Sequence, residues 1–353
     1  MTNEQSNSPT EQTAASTTPY TAVVSFDQDL GSTVIALDYQ DKENPARNIS
    51  VGIAPELGSN LFRFRVGEHD LIYCEQDLLK RMDFTGNFVL WPLPNRVRDK
   101  RYTYGRQTYS LANVKRAQGN AVLIHGLVFD HAWQYEQPIV GPESASVTTY
   151  IDMTPDSLFY ESYPFSSRLS LTYQLTHQGI AIHYRVENKG DKALPYGFAL
   201  HPYFSLLSGR DNTFVSLPAS SVMEADEELL PTGRVLDVTG IMYAMFDLRQ
   251  PVPVGNLKLD HVYTDVSPRT AAILDYRKQS MQLRISATDD FTHIVIYTLA
   301  ATPSICIEHQ TCSTDAVNLH NQGPELRKTA HLLELQPGEV GTGSIYYTLN
   351  FHS

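Results

Sequence analysis

Six side chains in this sequence are of types that move protons or hold polar substrates, and each stands beside an apolar or turn-forming run. Glu308 closes Ile305-Cys306-Ile307-Glu308 and is followed at once by His309-Gln-Thr-Cys-Ser-Thr-Asp-Ala316. His201 follows Tyr196-Gly-Phe-Ala-Leu200 and opens His201-Pro-Tyr-Phe204. His125-Gly126 follows Ala121-Val-Leu-Ile124, Asn95-Arg96 closes Trp91-Pro-Leu-Pro94, and Asp260-His261 ends Leu257-Lys-Leu259. A carboxylate at a strand end is partly desolvated and rigidly aimed, which suits a general base. An imidazole can supply the matching acid. The glycine after His125 permits close approach of a ligand or of a neighbouring backbone.

Taken singly, none of these residues requires chemistry. Glu308 reads equally as a carboxylate paired with an arginine or wet at a strand end. A histidine at a strand end is commonly structural, Arg96 serves as a surface ion-pair residue, and Asp260 as a turn residue. His125, His201, Asp260 and Glu308 are also plausible metal ligands by type. The chain lacks the local His-x-His or His-x-x-x-His spacing that pre-positions such ligands, so no metal site is expected.

The elements that must position these groups read as strands. Ile305 and Ile307 alternating with Cys306 and Glu308 predict a half-buried strand running into a loop. Thr21–Phe26 and Thr33–Leu37 are short β-rich runs. Leu169, Leu171, Tyr173 and Leu175 alternate with polar residues. After His177-Gln178-Gly179, so do Ile180, Ile182, Tyr184 and Val186, which predicts a hairpin with one face on a core. Asn188-Lys189-Gly190 ends its second strand as a tight turn. Gln336-Pro337-Gly338-Glu339 turns the chain into a last strand, Ser344 to Phe351. The best helical candidate, Glu75 to Phe84, is short. Strands without helical crossovers point to an antiparallel sandwich.

Bulk properties narrow the function. The chain has 353 residues, 42% hydrophobic and 19% charged, which is a globular composition with room for a large core. A net charge of -12 argues against nucleic acid or anionic membrane as partners. A small molecule of little charge fits better. No run approaches the roughly 18 apolar residues of a membrane helix. Residues 1–19 are polar without an apolar signal core and read as a disordered tail; residues 20–353 read as one domain. Cys74, Cys306 and Cys312 form no CxxC pair; Cys306 and Cys312 could bridge, but reduced thiols fit a cytoplasmic protein.

In their order and wide spacing, these motifs resemble those of the aldose 1-epimerase (galactose mutarotase) family. The resemblance runs through Leu90-Trp-Pro-Leu-Pro-Asn-Arg-Val97, Leu123-Ile-His-Gly-Leu127 and Leu194-Pro-Tyr-Gly-Phe-Ala-Leu-His-Pro-Tyr-Phe204. It continues in Leu259-Asp-His-Val-Tyr263, Cys306-Ile-Glu-His-Gln-Thr311 and Leu335-Gln-Pro-Gly-Glu339. It implies an all-β fold, a large antiparallel β-sandwich of the galactose mutarotase-like supersandwich type, with a sugar cleft on one sheet. By position Glu308 matches the base for the anomeric hydroxyl and His201 the acid for the ring oxygen. His125 matches a second histidine near that oxygen, and Asn95, Arg96 and Asp260 match residues that hold hydroxyls. The implied substrate is a monosaccharide, with no cofactor, and the protein is expected as a monomer or homodimer.

Further expectations follow. Glu308 should be ionised and His201 protonated at rest. His309 stands where the family commonly has proline, and Ser205 where many relatives have asparagine. Arg96, Arg98 and Lys100 would share one face if extended. With Arg101, that run reads as solvated charge at a strand edge or as a site for a phosphorylated or otherwise acidic sugar. Trp91 and Trp133 could stack on a sugar, although core packing is the simpler reading. A non-catalytic sugar-binding module on the same sandwich is the alternative from another class.

Overall fold

The alternation is plainest in Ser167–Thr176, where buried and half-buried side chains follow each other along the whole strand. It pairs antiparallel with Gly179–Asn188 over its full length, forming the expected hairpin. Gly179 has a φ of +131°, and a Cβ there would lie 2.1 Å from the Tyr347 carbonyl oxygen. Only glycine fits that turn.

This hairpin is the middle of a ten-stranded antiparallel sheet in a computed structural model that describes residues 18–117, 120–266, 270–298 and 302–352. Most of the expected tail lies outside the described residues. Val340–Phe351 pairs with Gly179–Asn188 on one side and with Met281–Ala287 on the other, so the C-terminal strand is central. A seven-stranded antiparallel sheet packs against it; its order is Pro231–Asp237, Ser221–Ala225, Asp260–Thr264, His293–Tyr297, Ser304–Gln310, Ala199–Ser205, Asn87–Leu90. A five-stranded meander from Tyr20–Asp27 to His69–Asp70 completes the large sheets.

The two larger sheets meet through large rings. Phe204 stands edge-on to Tyr347 at 5.2 Å, and Asn87 Nδ2 donates to the Tyr347 hydroxyl at 3.2 Å. Leu169, Ile182, Ile294, Ile305 and Tyr347 belong to one continuous apolar core. Burial of that many side chains supplies the main folding drive. Trp91 and Trp133 are both buried in this core, which rules out a sugar platform on either. The helical candidate at Glu75–Phe84 is the single turn Gln76–Lys80. All three cysteines are free thiols.

Candidate active site

The antiparallel register builds the site. Ala199 faces Gln310 and Tyr203 faces Cys306 across two neighbouring strands, which sets His201 directly opposite Glu308. Side chains directly opposite share a face and lie close. His201 Nε2 is 3.2 Å from Glu308 Oε1. Gln310, two residues on and on the same face, donates from Nε2 to Glu308 Oε2 at 3.1 Å. The His201 ring packs on two others, Phe88, stacked at 4.7 Å, and Tyr203, stacked at 4.9 Å. Both groups therefore sit within regular strands, where the backbone is stiff, and neither is at a strand end as expected. Every residue of Ser304–Gln310 is buried, because one face of the strand meets the sandwich core and the other lies under the site's side chains.

Burial works against the expected resting charges. Glu308 is 2% exposed and His201 4%. Loss of solvation pushes the Glu308 carboxyl up to about 8, with nearby Asp260 adding to the rise and Gln310 and Arg96 opposing it. The same loss of solvation brings His201 down to about 3. Both shifts favour the uncharged forms at rest, a protonated Glu308 carboxyl and a neutral His201 imidazole. His125 is likewise held well below the ordinary histidine value, first by burial and then by His201.

Asp260 reaches the same face. It pairs with Tyr297, which pairs with Cys306, two residues before Glu308. It opens the strand Asp260–Thr264 and does not end Leu257–Leu259. Arg96 Nη2 is 3.5 Å from Asp260 Oδ2, and Arg96 Nη1 donates to Asn95 Oδ1 at 3.0 Å. Arg96 sits on a two-residue strand whose partner is Leu123–Ile124, so Asn95-Arg96 and His125-Gly126 leave that ladder side by side. The His125 N–H donates to the Asn95 carbonyl at 2.7 Å. The rings of His125 and His201 are 4.9 Å apart, edge to face. All six residues singled out in the sequence thus belong to one cluster.

His125 and Gly126 have φ values of +65° and +68°. For histidine this left-handed backbone is strained and persists only if its surroundings enforce it. A Cβ on Gly126 would lie 2.4 Å from the Trp91 carbonyl oxygen, so the close approach that needs glycine is to backbone. On the other side Arg116 donates to the carbonyls of Ile124 at 2.7 Å and Gly126 at 2.6 Å. Asp130 Oδ2 accepts from Arg116 Nε at 2.8 Å. Arg116 was not visible as a site residue in the sequence; its signal, a lone arginine in a polar loop, is too common to notice. Gln310, Phe88 and Tyr203 were missed as well, although period two from Glu308 and His201 points to Gln310 and Tyr203.

The basic run does not form a face. After Arg96–Val97 the chain turns through a 3-10 segment, Arg98–Lys100, with Asp99 at a φ of +54°. Arg98 is engaged by Asp226, Nη2 to Oδ2 at 3.1 Å, and by Asp315, Nε to Oδ2 at 3.7 Å. The space beside Arg96 and Asp260 is about 10 Å³, walled in part by Ala225, Leu229 and Pro231.

Glu308 and His201 thus form a buried pair on one sheet of an antiparallel sandwich, flanked by an arginine, an aspartate and a second histidine. The chain belongs to the aldose 1-epimerase family, whose model matches residues 45–348. It is 25% identical over 232 residues to a protein of Escherichia coli named YihR, covering 65% of this chain and 71% of that one. It is 26% identical over 237 residues to the galactose mutarotase of Mus musculus, covering 65% of this chain and 59% of the mouse protein. The match thus spans about three fifths of the mouse enzyme. Among solved structures it resembles a galactose mutarotase-like protein of Clostridium acetobutylicum, with a TM-score of 0.79 at 19% identity over 94% of this chain and 98% of that one. It also resembles a galactose 1-epimerase of Lactobacillus acidophilus, with a TM-score of 0.72 at 20% identity over 95% and 99%.

Proposed function

We propose that this protein interconverts the α and β anomers of an aldohexose by acid/base ring opening. The observation that carries the reading is the 3.2 Å contact between His201 Nε2 and Glu308 Oε1, with Arg96 and Asp260 on the same face. Glu308 takes the proton from the anomeric hydroxyl while His201 protonates the ring oxygen. The bond between C1 and the ring oxygen breaks and leaves a free aldehyde. Rotation about C1–C2 and reversal of both proton transfers give the other anomer. No covalent adduct forms, and each positioned group contributes roughly 10²–10⁴ in rate.

The reaction needs Glu308 ionised and His201 protonated, the reverse of the resting pair. One proton crossing the 3.2 Å contact makes that exchange. Arg96 lowers the carboxyl and the imidazole alike, so the exchange is favoured by the sugar hydroxyls, which bring hydrogen bonds to the charged groups. Asn95, Arg96 and Asp260 hold hydroxyls, and His125 stands beside the ring oxygen.

An acidic sugar finds less support, because Arg98 is already engaged by two aspartates. A pure binding module would not need a proton-shared Glu–His pair buried in the sheet. The test is NMR exchange spectroscopy or polarimetry of glucose and galactose with wild type and Glu308→Gln. Acceleration by wild type and its loss in the variant support the reading. A wild type no faster than the spontaneous rate on any common aldose ends it.

A further inference from the structure

An open cavity of about 1140 Å³ is lined by Ile124 and Leu127, which flank His125-Gly126 in the chain, and by Phe84. It is larger than the roughly 300–1,000 Å³ usual for small-ligand pockets, and a lone hexose leaves most of it empty. Phe84 and Ile124 belong to its wall. Phe84 meets the His125 ring edge-on at 5.0 Å and stacks on Phe88 at 5.5 Å, and Phe88 stacks on His201. The cavity thus begins two rings from the catalytic pair. Phe84 keeps 36% of its surface exposed, and Leu158, also in the wall, 92%. Exposed apolar groups gathered in a concave, polar-rimmed site mark ligand contact.

The lining also says what the ligand is. Arg81, Lys115 and Arg116 are balanced by Asp83, Asp130 and Glu228. Arg116 is spent on Asp130 and two backbone carbonyls. No net positive field awaits a phosphate or sulfonate. A partly exposed aromatic ring, Phe84, with the amides of Asn113 and Asn120 in the same lining suits a neutral, hydroxyl-bearing ring that has one apolar face.

We propose that this cavity is a second sugar subsite, and that the preferred substrate is a reducing disaccharide linked through O6 of the hexose that mutarotates. The inference rests on the function proposed above, which sets His125 beside the ring oxygen. The neighbour of the ring oxygen away from C1 is C5, which bears C6. A group on O6 therefore leaves the reacting sugar past His125, toward Phe84 and the cavity. Groups on O3 or O4 leave elsewhere.

The experiment compares kcat/KM for glucose, galactose, melibiose and isomaltose (6-linked), lactose and maltose (4-linked), and glucose 6-phosphate by NMR exchange of the anomeric protons. The 6-linked disaccharides are expected to exceed the 4-linked ones by about tenfold, the order of one well-made ring contact. Asn113→Trp and Leu158→Trp, which fill the cavity from its exposed rim, should remove that advantage and leave glucose turnover unchanged. A wild type that turns over glucose or galactose with no preference for the 6-linkage overturns the subsite alone. A preference for glucose 6-phosphate overturns the neutral-ring assignment. A wild type that accelerates no aldose removes the function and the subsite together.

Discussion

Glu308 and His309 are neighbours in the chain whose side chains lie on opposite faces of one strand, Glu308 across from Val295 and His309 across from Ile294. Glu308 looks into the site. His309 shares its face with Ile305 and Ile307 of the sandwich core, and neither of its ring nitrogens has a hydrogen-bond partner. The residue that replaces the family's usual proline is therefore a packing residue with no access to the chemistry.

His309→Leu should raise stability by about 1–3 kcal/mol, since it removes two unsatisfied buried polar atoms at similar volume. Burial brings His309 down to about 3 from its ordinary 6.5. Between those values the unfolded chain binds the proton and the folded protein does not, so this histidine destabilises increasingly as pH falls. The gain from leucine should therefore be larger at pH 4 than at pH 7 in urea titrations. Mutarotation should stay within about twofold of wild type. A large loss of activity without loss of stability contradicts the core assignment.

Glu308→Gln should lose roughly 10²–10⁴ in kcat while gaining stability at alkaline pH. The folded carboxyl is raised to about 8 from its ordinary 4.5. The folded protein thus holds a proton that the unfolded chain has released, and stability contributed by this group falls as pH rises from 4.5 to about 8. Glutamine removes that slope, with a gain on the order of 5 kcal/mol at most once pH exceeds 8. Thermal melts of both proteins from pH 5 to pH 9 read the divergence directly; parallel curves contradict a buried, proton-holding Glu308.

In the proposed reaction the pair works with one shared proton, so the rate should follow a bell in pH. Loss of that proton on the alkaline limb, near the raised Glu308 value of about 8, leaves His201 nothing to donate. On the acid limb, below the depressed His201 value of about 3, a second proton leaves Glu308 nothing to accept with. The two limbs belong to the pair and not to either residue. A kcat/KM profile that is flat through pH 9 speaks against the Glu308–His201 pair as the proton shuttle.

Arg116→Ala should cost more in catalysis than in folding, because its guanidinium holds the carbonyls on both sides of His125. Loss of that brace lets the strained His125 backbone relax, and displacement of about 1 Å in such a site costs up to 10²-fold. Arg116→Lys keeps the charge but not the fork that reaches both carbonyls, so it should rescue little. His125→Ala provides the scale: adding Arg116→Ala to it should change kcat/KM little further. Additive losses in the double mutant contradict action through His125.

Asp226→Asn should speed sugar binding. The space of about 10 Å³ beside Arg96 and Asp260 admits little more than a water, so binding of a hexose there as proposed would require the segment around Leu229 to move outward. Asp226 fastens that segment to Arg98, and its Oδ1 also accepts from the N–H groups of Glu228 and Leu230. Asparagine can keep the two backbone bonds and loses only the ion pair. Stopped-flow binding should then show an association rate several-fold above wild type; an unchanged rate excludes this tether as the gate.

Much of the fold was legible because burial on one side of a sheet leaves a period of two. Leu169 to Leu175 and Ile180 to Val186 carry that pattern, and their hairpin follows from it. The pattern weakens at Ile305–Glu308, where both faces are covered and alternation no longer reports exposure. The basic run misled for a related reason: Asp99 turns the chain into the left-handed region, which hydrophobic period does not record. Arg116 gains its role from the carbonyls of Ile124 and Gly126 and from Asp130, and leaves no periodic trace. Gln310 lies in step with Glu308, but alternation alone does not record that its amide is spent on that carboxyl.

By itself the sequence determined the residue types, their order and the strands that carry them, since each follows from local alternation and turn chemistry. Tertiary structure alone decided that His201 faces Glu308, because register is a relation between strands more than 100 residues apart. It also decided which protonation states burial favours. That depends on how completely two sheets and a loop exclude water, and desolvation is a property of the assembled site that no single segment contains.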